Sequence, residues 1–193
     1  MHLRTITVLS MLSAVAALLM QFVQFPIIPT ASYLRFDPSE VPTLLAGILF
    51  GPAAAVLVAL LKNALRVLLF GSSTGWVGPA ANFFAVALFV GTASWVYRRR
   101  PTTRGLVQGV LLGAVARTVL MIPVLLFFIL PAFFGYSPTD WTTIRGRMLP
   151  LMWSAFVPFN FATSVVNGAL TVWLLVLVQS RVSALRERHA PSE

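Results

Sequence analysis

The residues that could do chemistry in this chain are polar side chains set inside long apolar runs. "LKNALR" carries Lys62, Asn63 and Arg66, "GAVART" carries Arg117, and "FNFATSVVN" carries Asn160, Thr163, Ser164 and Asn167. The last four fall at i, i+3, i+4 and i+7, a spacing that puts them on one helix face. Asn82 opens another apolar run, and Asp37 and Glu40 sit in "RFDPSEVP" just before a short one. Amides, hydroxyls and fixed cations suit hydrogen bonding to a small molecule. They suit bond-making poorly. The chain has no cysteine, and its two histidines, His2 and His189, lie near the ends. No carboxylate falls inside a predicted span. No nucleophile–base pair, metal-ligand set or intramembrane proton relay can therefore be assembled. No GxxxxGK[ST] phosphate loop occurs either. The expectation is a binding protein rather than an enzyme, with no metal and no resident cofactor.

Each polar residue has a plainer explanation as well. Ser164 and Asn167 read as hydrogen-bonding glue between helices. Asn160, which follows a proline in the outer half, is either glue or pocket wall. Lys62 and Arg66 are like charges at i, i+4, which disfavours a helix unless something separates or neutralises them. Arg66 can snorkel toward water. Lys62 lies deeper and needs an acidic residue, helix-terminal carbonyls or a ligand. Arg117, in the middle of its span, reads as a structural pairing residue. Asp37 and Glu40 read as outer-loop residues that favour the start of the helix after them, with Ser39 or Asp37 as its cap.

The elements that position these residues follow from hydropathy. Of 193 residues, 58% are hydrophobic and only 10% charged. Soluble domains carry about 25% charged residues, so this chain cannot coat a water-facing globule. Five apolar segments, 5–25, 52–70, 79–97, 105–130 and 149–178, are long enough to span a bilayer. A sixth, 42–50, is too short to do so and ends at Gly51-Pro52. The predicted fold is an all-α integral membrane bundle of six helices with a short second helix. It occupies residues 1–180, with a polar tail over 181–193.

Eight arginines, Arg4, Arg98, Arg99, Arg100, Arg104, Arg181, Arg186 and Arg188, then fall on one side. Arg35, Arg145 and Arg147 fall on the other, balanced by Asp37, Glu40 and Asp140. This asymmetry puts both termini in the cytoplasm. The net charge of +9 is clustered between spans, with no basic stripe of the kind that binds nucleic acid. Two small-residue pairs, Ser10/Ala14 and Ser13/Ala17, give the first helix a smooth face for close packing, either within the chain or against another subunit. Gly105, Gly109 and Gly113 do the same on the fifth helix and lead to Arg117.

Residues 36–90 resemble the riboflavin-specific S component of energy-coupling factor (ECF) vitamin transporters. The resemblance rests on the acidic stretch Asp37–Pro42, Phe50-Gly51-Pro52, Lys62-Asn63, and the run from Thr74 to Asn82-Phe83. Late in the chain, Pro158-Phe159-Asn160 matches the family's P-F-N segment. The resemblance implies a multi-pass protein of a prokaryotic cell membrane that captures riboflavin from outside. It also implies three partners, a membrane scaffold subunit and two cytoplasmic ATPases, with Ser10, Ser13, Ala14 and Ala17 as the docking face. The family's usual lysine three residues after the P-F-N asparagine is Thr163 here, which keeps another vitamin or a flavin nucleotide open as ligand. For a nucleotide, Arg145 and Arg147 are the predicted phosphate partners. A membrane protein with a purely structural role is the remaining alternative. The predicted ligand contacts are Tyr33, Leu34 and Phe36 from an outer loop over 26–41, with Lys62, Asn82, Asn160 and Thr163 below them.

Overall fold

The computed structural model describes residues 3–28, 31 and 34–188, with side chains through residue 180. Six helices form in the predicted order. They are α1 (Leu3–Phe22), α2 (Glu40–Phe50), α3 (Pro52–Phe70), α4 (Val77–Arg99), α5 (Thr103–Phe134) and α6, whose apolar span is Trp141–Ser180 and whose backbone stays helical to Arg188. All but α2 are long and apolar enough to cross a membrane. At 1.5 Å per residue, α2 covers about 16 Å, half of a hydrocarbon core.

Local chemistry sets the breaks. Gly51 has φ +96°, a conformation that L side chains rarely adopt, and Pro52 opens α3 where a missing N–H costs nothing. Thr102 caps α5 by accepting from the Gly105 N–H at 3.1 Å. Asp140 caps α6, accepting from the N–H groups of Thr142 and Thr143 and from both hydroxyls. Those donors hold its carboxyl below the usual 3.8, at about 2.

The packing is uneven along the bundle axis. At the arginine-rich end, α4 and α5 approach closely across glycines. A Cβ on Gly109 would lie 2.6 Å from the Ala93 carbonyl oxygen, and one on Gly113 would lie 2.7 Å from that of Phe89. Leu44, Val86, Phe89, Val90 and Leu106 fill the core there with essentially no exposure. At the other end, three π-helical turns widen α5 and α6, at Leu125–Ile129, Ile144–Met148 and Met152–Phe156. Pro123, Pro131, Pro150 and Pro158 lie near these turns, where missing N–H groups make regular α-helical bonding incomplete. The helices here start and end further out than the hydropathy boundaries, because Asp140 and Gly135 cap them beyond the apolar runs.

The segment before α2 departs from expectation. Phe25–Pro26 pairs antiparallel with Arg35–Phe36 in a two-stranded hairpin. The chain then descends into the bundle instead of staying outside. Asn167 on α6 donates to the Asp37 carbonyl at 3.1 Å, and Ser39 and Glu40 are buried. A carboxylate therefore does sit among the spans, at the head of α2.

Candidate functional site

Arg117 organises the middle of the bundle. Its Nη1 donates to Glu40 Oε1 at 2.7 Å and to Ser164 Oγ at 3.4 Å, and its Nε donates to Asn160 Oδ1 at 3.0 Å. Arg117–Glu40 is the one ion pair among the described residues, and both side chains are at most 5% exposed. Burying such a pair is costly unless further hydrogen bonds satisfy its remaining atoms. Asn160 and Ser164 accept from Arg117, whereas Glu40 Oε2 is buried without a partner among the described residues. Beside it, Lys62 is wholly buried and donates to Ser39 Oγ at 2.6 Å, with Asp37 and Glu40 in electrostatic reach. Two cations and two carboxylates thus make a charge-balanced cluster.

This overturns the capping role expected for the acidic stretch. The Ser39 hydroxyl serves Lys62 and makes no cap, Asp37 Oδ1 accepts from Ser39 N at 2.9 Å in a local turn, and Glu40 neutralises Arg117. The expected structural role of Arg117 is met, and the partner of Lys62 does come from the first loop. It is a hydroxyl, however, rather than a carboxylate.

Directly above Arg117 lies a cavity of about 190 Å³ between α4, α5 and α6. Its floor holds Arg117 and Asn160, and Asn82 and Thr74 enter from the α4 side. The walls are Ala81, Ala85, Met121, Leu125, Ile129, Phe133, Phe134, Phe156 and Phe159, with Leu34 and Arg35 from the hairpin. Asn82 Oδ1 accepts from Asn63 at 3.1 Å, so its NH₂ group is the part left for a ligand. Among the described residues Arg117 Nη2 makes no hydrogen bond, leaving the outer edge of the guanidinium with two donors. Among the described residues, two arginines and no carboxylate line the space, so it suits a molecule with an apolar body and acceptor-rich ends.

The predicted site residues separate into three groups. Leu34, Asn82 and Asn160 line the cavity. Phe36, Lys62 and Thr163 do not: Phe36 is buried against Phe25, Lys62 is consumed by Ser39, and the Thr163 hydroxyl bonds back to the Phe159 and Asn160 carbonyls of its own helix. Tyr33 lies outside the described residues. Arg145 and Arg147 are exposed and absent from the lining. Sequence reading missed Arg35, Met121, Leu125 and the four phenylalanines. The one available signal was periodic, since 117, 121, 125 and 129 continue the four-residue stripe of Gly105, Gly109 and Gly113.

The small-residue face of α1 also divides. Ser13 and Ala17 are buried with Leu9 against α2 and α3, so they cannot be a docking face, whereas Ser10 and Ala14 are exposed. Packing decides this, because α1 turns only one of its two stripes inward.

A six-helix membrane bundle with a half-length second helix and a central cavity defines a membrane-embedded binding protein. Residues 4–176 match the model of the substrate-specific component of ECF transporters, and the chain belongs to that family. It is 35% identical over 187 residues to the riboflavin transporter RibU of Staphylococcus aureus (strain TCH60), covering 96% of this chain and 93% of that one. It is 30% identical over 192 residues to the riboflavin transporter FmnP of Bacillus subtilis (strain 168), covering 98% and 99%. A solved structure described as the S component of a bacterial ECF transporter superposes with a TM-score of 0.77 at 32% identity, covering 93% of this chain and 97% of that one.

Proposed function

We propose that this chain is the riboflavin-binding subunit of an ATP-driven uptake system in a prokaryotic cell membrane. It takes the vitamin from outside into the cavity above Arg117. Transport then requires docking with a membrane scaffold subunit and two cytoplasmic ATPases, and the exposed Ser10/Ala14 stripe of α1 suits the close helix approach that docking needs. In this reading the chain is not an enzyme and needs no cofactor, because riboflavin is cargo. The observation that carries the reading is the cavity itself. Its phenylalanine and aliphatic walls match a planar three-ring system, and Arg117, Asn82 and Asn160 offer hydrogen bonds to ring carbonyls and ribityl hydroxyls.

Protein purified from flavin-containing cells is expected to be yellow and to quench the fluorescence of added riboflavin. A colourless preparation that quenches nothing overturns the reading. Asn82→Ala should weaken riboflavin binding roughly tenfold, the scale of one lost hydrogen bond, while the protein stays folded. A purely structural role predicts no such separation of affinity from folding. Arg35, exposed at the cavity edge, favours a phosphorylated flavin as a second ligand, and competition between riboflavin and flavin mononucleotide tests it.

A further inference from the structure

The α4–α5 turn holds a second concavity that riboflavin capture does not use. Trp95, Val96, Arg99, Arg100, Gln108 and Leu112 line a surface groove of about 280 Å³. The Arg99 guanidinium lies over the Trp95 ring, 3.8 Å from its centroid. Stacking fixes the plane of the guanidinium and leaves its in-plane N–H donors free. Arg100 Nη1 donates to Gln108 Oε1 at 3.4 Å, a long contact that leaves most of its donors open. Arg98, Arg99, Arg100 and Arg104 are all exposed, and none pairs with a carboxylate among the described residues. Asp37 and Glu40 are taken up at the head of α2, and Asp140 caps α6 at the opposite end. The N-terminus of α5 adds its partial positive charge here.

Leu112 lines the groove on the side toward the middle of the bundle, and Leu111, Leu112 and Val115 along α5 there are exposed apolar side chains. A phosphate-binding fork next to a hydrocarbon-facing strip is the pattern of a lipid rather than of a free anion. The arginine distribution marks this end as cytoplasmic, where the leaflet is anionic. The groove also lies on the α4–α5 side, whereas α1 packs on α2 and α3, so it stands apart from the Ser10/Ala14 stripe.

We propose that this groove binds an anionic phospholipid of the cytoplasmic leaflet, with its phosphate held by Arg99 and Arg100 and an acyl chain lying along Leu112 and Leu111. The test is native mass spectrometry of the delipidated full chain titrated with phosphatidylglycerol or phosphatidylcholine. Phosphatidylglycerol is expected to bind in preference. Arg99→Ala/Arg100→Ala should weaken that binding about 25-fold, at roughly fivefold per arginine. Arg145→Ala/Arg147→Ala removes the same charge at the other end and should leave the binding nearly intact. Riboflavin quenching reports that each variant is folded. If the alanine pair does not quench, Arg99→Gln/Arg100→Gln takes its place. Equal losses in both pairs, equal binding of phosphatidylcholine, or displacement of the lipid by inorganic phosphate would each overturn the proposal. It also fails if the lipid binds unchanged while the double variant no longer copurifies with the partner subunits, because the groove is then a protein contact.

Discussion

One face of α5 behaves in two ways along its length. From Gly105 to Gly113 it is sealed, Gly105 against Arg100 of the turn and Gly109 and Gly113 against α4, with no room for a side chain at any of the three. From Arg117 to Ile129 the same four-residue stripe borders an open cavity. The facing side of α4 mirrors this change: Phe89 and Ala93 meet the glycines, while Asn82 and Ala85 line the space. Arg117 sits at the boundary. The two helices are pinned at one end and splayed at the other, and the difference lies in residue size and in the π-helical turns of the outer half. A membrane bundle can thus make a rigid base and a binding site from one helix pair, since close approach fixes the crossing and bulky residues beyond it hold the gap.

The largest test strikes the boundary. Arg117→Ala leaves Glu40 buried and unpaired, and should cost about 3–5 kcal/mol in unfolding measurements in detergent. Riboflavin binding should be lost as well. Glu40→Leu/Arg117→Met should regain much of the stability without regaining the ligand, because apolar replacement of a buried pair is often neutral. Single variants that unfold like the parent would show that the boundary is not pinned there. The second test strikes the base. Gly109→Val drives side-chain atoms against the Ala93 carbonyl and should cost about 1–3 kcal/mol, with unchanged riboflavin affinity in the folded fraction. A matching fall in affinity would mean that the two halves are not separable.

The smallest effect is expected at the start of α6, on the outer side. The depressed carboxyl of Asp140 stabilises the helix start above its ordinary value of 3.8, and that contribution fades as pH falls toward about 2. Asp140→Ala should speed hydrogen exchange over residues 141–148 at neutral pH, and the difference should shrink as pH falls from about 4 through about 2. Faster exchange spreading to the Gly105–Gly113 region would join the two halves after all.

The membrane class, the six helices and the short α2 were legible because hydropathy and Gly-Pro breaks are local properties. That Asn82 and Asn160 line the cavity was legible through motif likeness, and that Leu34 does was legible from its place in the outer loop. Glu40 was not, because a carboxylate beside prolines reads as a solvated loop unless its partner is known, and Arg117 is 77 residues away. Thr163 misled for a related reason. A threonine in a helix can bond its own preceding turn, and nothing in the sequence says which way the hydroxyl points. The same limit applied to α1, where either small-residue stripe fitted the docking role and only the position of α2 and α3 separated them.

Composition alone determined that this chain lives in lipid, because too few charged residues exist to face water. Hydropathy fixed where its helices run, and the distribution of arginine fixed which end faces the cytoplasm. Tertiary structure decided where the charges go. Burying an ion requires a counter-ion within a few ångströms, and only folding brings α2 beside α5 and α6. It also decided where the cavity opens, since empty space belongs to no single residue and arises from the divergence of packed helices.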